Sequence, residues 1–354
     1  MATLMEYLKQ AVLDGASDVF VVAGAPISEK LEGKIVPMAE EKVFPQETKE
    51  LITEIYQMAE REMDEYKRLG DDDFSFAVSG LARFRVNSYF QRGSMAAVIR
   101  IVAFDIPDWR ELGIPEEVMK LAEGSHGMVL VTGTAGSGKS TTQACVINQI
   151  NQTRNCHIIT LEDPIEYLHT DVKSIVSQRE IAVDTSDYLS ALRACLRQAP
   201  DVIQLGEMRD GETIRTAMTA AETGHLLFAT LHTRGAVNSV NRIIDSFPAA
   251  QQDQIRVQLS TVLQTVVSQA LIPDVDGNMI PAFEIMHVNN AIRNMIRDNK
   301  THQIPTAITG GAAEGMITMD QYLQKLYKEG RITAETALSY CDGQEQMKRQ
   351  LGIR

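Results

Sequence analysis

Cysteine is scarce in this chain. Its four residues (Cys145, Cys156, Cys195, Cys341) lie far apart in 354 positions and form no CxxC pair. That excludes a disulfide framework or a zinc knuckle and leaves reduced thiols as the expectation. Positive charge is also short: 34 Lys and Arg stand against 47 Asp and Glu, for a net charge of −13 and a pI near 5.1. A protein whose main task is to grip nucleic acid by neutralising phosphates needs the opposite balance, so no nucleic-acid partner is expected. Long apolar runs are missing as well. None approaches the roughly 18 uninterrupted residues that suggest a membrane span. The opening "MATLMEYLKQAVLDGASD" is broken by Glu6, Lys9 and Asp14 and reads as neither a signal peptide nor a spanning helix. A cytosolic protein is expected, one that can still dock on a membrane protein. Short-period repeats and low-complexity segments are absent too.

What is present is an ordinary globular composition, 44% hydrophobic and 23% charged. The length suggests two domains at roughly 100–200 residues each. Leu4, Leu8 and Val12 mark a first helix over residues 2–14, and "DVFVVAG" reads as a strand stopped by Gly24 and Pro26. After Pro45 the spacing of Leu51, Ile55, Met58, Glu62 and Tyr66 predicts one helix over residues 46–69. Residues 74–102 are dense in β-formers, with turn signals at Ser79-Gly80 and Arg92-Gly93-Ser94, and read as an antiparallel meander. Period two sets Arg83, Arg85 and Asn87 on one face of it, opposite Phe84 and Val86. The Pro- and Gly-bearing stretch from 104 to 120 reads as a linker, between an N-terminal α+β domain at 1–103 and a larger domain at 121–354. A short helix from Pro115 to about Gly124 falls across its end.

The larger domain opens with "GMVLVTGTAGSGKSTTQACVINQI". A buried strand, Met128–Thr132, meets a glycine-rich loop and then a helix, which is the Walker A pattern in its required context. The loop and first helical turn (Gly133, Thr134, Ala135, Gly136, Ser137, Gly138, Lys139, Ser140, Thr141) suit a nucleotide. Glycines let amides turn inward around phosphates, the helix start adds positive potential, Lys139 reaches the β and γ phosphates and Ser140 holds Mg²⁺. ATP and Mg²⁺ are the expected ligands.

Three further apolar runs end in polar side chains: "CHIITLEDP" in Glu162 and Asp163, "PDVIQLGEMRD" in Glu207, and "GHLLFATLHT" in His232. Helical segments separate them, which implies a parallel sheet with right-handed crossovers. In such sheets ligands sit beyond the carboxyl ends of the strands. Glu207 fits the carboxylate that holds Mg²⁺ through water, leaving Glu162 to polarise the attacking water. His225 and His232 flank one strand, where contact with the γ phosphate or with Glu207 is expected. In "TLEDPIEYLH", Asp163 and Glu166 fit either of two roles, orienting Glu162 or binding a neighbouring protomer's arginine.

These motifs resemble, in order, the Walker A, Asp box, Walker B and His box of the secretion-type ATPases. "AIRNMIRDNKTHQI" (Ala291–Ile304) and "GASDVFVVAGAPISEKLEGKI" resemble PilT-like members, the type IV pilus retraction ATPases. The resemblance implies an α/β fold: a RecA-like P-loop core with a parallel sheet, preceded by a small α+β, PAS-like domain. It implies a homohexameric, ATP-hydrolysing ring at the cytoplasmic face of the inner membrane. The partners it implies are an inner-membrane platform protein and the pilus machinery. Glu162 and Glu207 match the family's catalytic and Walker B glutamates. Arg83 and Arg85 in "RFRVN" match N-terminal-domain arginines that reach the phosphates of bound ATP. The chain departs from the family at Thr134-Ala135 in the loop, at Phe20 and at Ala199. It lacks the four-cysteine module common in extension and secretion ATPases, which favours a retraction-type member. The C-terminal helices, with a capping box at Thr318 and Gln321, fit ring packing or a docking surface.

Overall fold

A computed structural model describes residues 3–31, 33–102 and 106–352. The expected domain boundary at 103 and 104 lies outside the described residues. By its internal contacts the chain divides into two units, Met1–Asp105 with Glu166–Leu168, and Ile106–Ile165 with His169–Arg354.

The first unit holds α1 (Leu4–Asp14), β1 (Asp18–Val21), β2 (Ser28–Leu31), β3 (Lys34–Pro37), α2 (Pro45–Met58), α3 (Asp64–Leu69), β4 (Asp71–Val78), β5 (Ala82–Gln91) and β6 (Ser94–Val102). Its strands form one antiparallel sheet in the order β3-β2-β1-β6-β5-β4. α1 begins in a capping box, Thr3 with Glu6, and ends on a left-handed Gly15. The meander forms as its turn signals indicate. β5 alternates with period two, burying Phe84 and Val86 and leaving Arg83 and Arg85 half-buried.

Two expectations for this unit need correction. The single helix over 46–69 is two helices: residues 59–63 are not helical, and Glu60 takes a left-handed φ of 50°. The run Glu60-Arg61-Glu62 has no apolar side to bury, and Arg61 turns to grip Asp72 with both ends of its guanidinium, at 2.9 and 2.8 Å. Glu62, expected on the core face, is exposed. The hairpin β2–β3 went unread because β3 is an exposed edge strand in charged sequence, without a buried face to mark it.

The second unit holds α4 (Glu116–Met119), β7 (Gly127–Thr132), α5 (Lys139–Thr153), β8 (His157–Glu162), β9 (Ile175–Glu180), α6 (Tyr188–Cys195), β10 (Val202–Leu205), α7 (Gly211–Glu222), β11 (Leu226–Leu231), α8 (Ala236–Asp245) and α9 (Ala249–Val262). It continues with β12 (Leu263–Pro273), β13 (Met279–His287), α10 (Asn290–Arg297), α11 (Ile304–Gly310), α12 (Met319–Lys328), α13 (Ala334–Tyr340) and α14 (Gln344–Leu351). The sheet order is β13-β12-β7-β11-β10-β8-β9, parallel except for β13. Helices cover both faces, so the inner strands β7, β8, β10 and β11 are buried on both sides and read as apolar runs. Met128 and Leu130 of β7 enter one core while Val129 enters the other. The expected linker, where described, packs into this unit: Ile114 and Val118 are buried in its core. The Thr318–Gln321 capping box is present at the start of α12.

Candidate active site

β7, β11, β10 and β8 are neighbours and run parallel, so their carboxyl ends present Gly133, His232, Glu207 and Glu162 along one sheet edge. The loop after β7 is shaped by two close approaches. Gly133 has φ +147, and a Cβ there would overlap the carbonyl oxygen of Gln269 and meet Ser137 Oγ. Gly138 is left-handed, φ +84, with Gln269 Nε2 2.8 Å from where its Cβ would be. Gln269 belongs to β12, and its Oε1 accepts a hydrogen bond from Thr142 Oγ1 at 2.7 Å, which ties the loop and α5 to the sheet.

α5 starts at Gly138 without any side-chain cap and without an acid in its first turn. Its first amides and its positive end therefore face the loop. Lys139 is buried, and its Nζ donates to the carbonyls of Gly133 at 3.0 Å and Thr134 at 2.9 Å. Ser137 is buried with its Oγ lacking a hydrogen-bond partner. An uncapped helix start, a buried cation and a buried hydroxyl in want of a partner are the donor set a polyphosphate requires. The Ser140 hydroxyl at the helix start and the Glu207 carboxylate, at the end of the next strand but one, are oxygen donors of the kind a divalent cation takes.

Glu162 ends β8 with its side chain buried. Its Oε1 accepts from Thr160 Oγ1 at 2.6 Å and from Gln178 Nε2 at 3.2 Å. Glu180 of β9 accepts from the Ile165 amide at 3.2 Å and so holds the turn that follows. Asp163 and Glu166 are exposed. Glu207 follows β10, its side chain 16% exposed, with one oxygen paired to Arg209 Nε and the other 3.0 Å from His232 Nε2. Burial, then the charges of Lys139 and Arg209, lower the His232 pKa from its ordinary 6.5. The ring is therefore neutral at pH 7. A carboxylate only accepts, so Nε2 carries the proton and donates to Glu207.

His225 is not brought to this site. It precedes β11, at the opposite end of the strand from His232, and its Nδ1 bonds the Ala220 carbonyl at 2.9 Å. In a parallel strand only the residue after it reaches the ligand edge. The polarity of the strand was legible in the sequence and separates the two histidines. Arg83 and Arg85 lie on β5 of the first unit.

Sequence reasoning missed Thr160, Gln178, Gln269 and Tyr188. Tyr188 opens α6, and its hydroxyl sits where a Cβ on Gly206 would be, 2.5 Å away, which explains the glycine before Glu207. Burial, then the charge of Asp163, raises the Tyr188 pKa, with Arg209 opposing, so the phenol stays protonated.

The family model for type II/IV secretion system proteins matches residues 1–346. The type IV pilus retraction ATPase PilT of Pseudomonas aeruginosa is 42% identical over 335 residues, covering 94% of this chain and 96% of that protein. A twitching motility protein of Neisseria gonorrhoeae is 41% identical over 346 residues, covering 98% of this chain and 92% of that protein. A crystal structure of the pilus retraction motor PilT with bound ADP superposes with a TM-score of 0.90 at 44% identity, covering 99% of this chain and all of that one. Among the described residues no helix is long and apolar enough to cross a membrane.

Proposed function

The chain belongs to the type II/IV secretion system protein family, and from that premise we propose that it works as an ATP-hydrolysing motor that retracts type IV pili. What carries the hydrolytic reading is one juxtaposition: an uncapped helix start with Lys139, and the carboxylates Glu162 and Glu207, at the carboxyl ends of neighbouring parallel strands. Retraction rests on the likeness to PilT, which runs nearly the full length of both chains.

In this reading the amides of Gly133 to Thr141 and the Lys139 ammonium bind the phosphates and take up the charge that develops on the transferred group. Ser140 and, through water, Glu207 would hold Mg²⁺. When bound, the cation neutralises phosphate charge. Glu162 takes a proton from the attacking water as the water oxygen bonds to the γ phosphorus and the bond from that phosphorus to the β–γ bridging oxygen breaks, with ADP as the leaving group. His232, neutral, donates to Glu207 and fixes its direction. Arg83 and Arg85, on an N-terminal domain over 1–103, supply positive charge to the transition state and link nucleotide state to domain movement. His225 stands outside this machinery.

The working form is a homohexamer at the cytoplasmic face of the inner membrane. It pulls on a platform protein of the pilus machinery. Deleting the gene and scoring surface pili tests the direction of force. Heavily piliated, immobile cells are expected. Bald cells would overturn retraction in favour of extension.

A further inference from the structure

A sheet covered on both faces by helices is normally apolar along its strands. Polar rows nevertheless cross this sheet, and one of them runs through β9, β8 and β10. Gln178 of β9 pairs in register with Thr160 of β8, which pairs with Gln204 of β10, so three polar residues cross adjacent strands on one face. Thr160 is fully buried and Gln204 nearly so. Burying polar groups costs stability unless they are put to use. Two of the three end on the same atom: Thr160 Oγ1 and Gln178 Nε2 both donate to Glu162 Oε1, at 2.6 and 3.2 Å.

The orientation of the Gln178 amide is set independently. Its Oε1 accepts from the His169 backbone N–H at 2.8 Å, so its NH₂ end must face Glu162. Thr160 lies two residues before Glu162 on the same strand face, so its hydroxyl reaches the carboxylate across a rigid element. Two donors on one oxygen stop the carboxylate from rotating about its terminal bond. The direction of the other oxygen is then fixed as well.

We propose that Thr160 and Gln178 are positioning residues that hold the Glu162 carboxylate at the angle from which it accepts the proton of the attacking water. The proposal rests on Glu162 being the base. Neither residue touches nucleotide; both act through Glu162.

The test is steady-state ATP turnover and equilibrium binding of a fluorescent ATP analogue on the full chain, for T160V, T160S, Q178L and E162Q. Valine keeps the shape of Thr160 without its hydroxyl, and serine keeps the hydroxyl. The expected result is a kcat about ten- to a hundredfold lower in T160V and Q178L, the range for losing a hydrogen bond to a charged group. T160S is expected within about threefold of wild type and analogue affinity is expected to be unchanged in all, while T160V and Q178L lose some stability because each removes a donor to a buried carboxylate. Equal losses in T160S and T160V, or losses matched by weaker analogue binding, would overturn positioning in favour of a packing role. Wild-type turnover in both T160V and Q178L, with E162Q inactive, overturns the proposal and leaves Glu162 as the base. An active E162Q overturns both. Should T160V fail to fold, Q178L decides alone, because Gln178 is half-buried on the edge strand β9.

Discussion

His232 Nε2 and Glu207 Oε2 lie 3.0 Å apart, a donor and a carboxylate from the ends of two adjacent strands. Arg209 holds the other oxygen of the same carboxylate. Glu207 is thus clasped from both sides, and its direction is set before any cation arrives. His232→Ala removes one clasp. The expected outcome is a fall in kcat of about ten- to a hundredfold, from a hydrogen bond to a charged group worth roughly 1.5–3 kcal/mol. Because the ring is neutral, a neutral amide donor can stand in for it, so His232→Gln is expected to retain more activity than His232→Ala. Steady-state turnover at saturating ATP and Mg²⁺ measures this.

Gln269 ties the phosphate loop to β12 through Thr142, at 2.7 Å. Gln269→Ala leaves a buried hydroxyl without its acceptor. A loss of about 1–3 kcal/mol in stability is expected, together with weaker nucleotide binding as the loop loosens. Gly133→Ala is the harsher change, since its Cβ would run into backbone rather than a movable side chain. Equilibrium denaturation and nucleotide titration of the two variants should rank them in that order.

His169 gives the second unit a pH dependence. Burial lowers its pKa from 6.5 to about 4, so it folds in the neutral form. The unfolded chain binds a proton that the folded chain refuses. Stability from this group is therefore full above pH 6.5 and falls as pH drops toward about 4. The span corresponds to about 3 kcal/mol. Urea denaturation at pH 7 and pH 4.5 is expected to show the loss in the wild type, and a smaller loss in His169→Gln.

The loop and the strand-end residues of the candidate site were legible in the sequence because their signals are local. The loop from Gly133 to Ser140 follows a strand and opens a helix, and Glu162, Glu207 and His232 each terminate an apolar run. What escaped notice depends on pairings between distant segments. Gln178 sits on β9, a half-buried edge strand whose "SIVSQRE" alternates weakly. Gln269 sits on β12, which follows α9 without a break, so the apolar residues on either side of Leu263 carry no mark of the change from helix to strand. Tyr188 shares a helical spacing with Leu192 and Leu196, which marks no polar role; only the approach of Gly206 shows what its hydroxyl meets. The overlong helix at 46–69 failed for the converse reason: a helical spacing continued through Arg61, which had a better partner in Asp72.

In the proposed mechanism Glu162 takes the proton from the attacking water. ATP turnover by Glu162→Gln, measured beside ATP affinity on the same preparation, tests it most directly. The expected result is a kcat lowered at least about a hundredfold, as for a lost general base, with affinity within about twofold of wild type. Wild-type turnover in Glu162→Gln would contradict it.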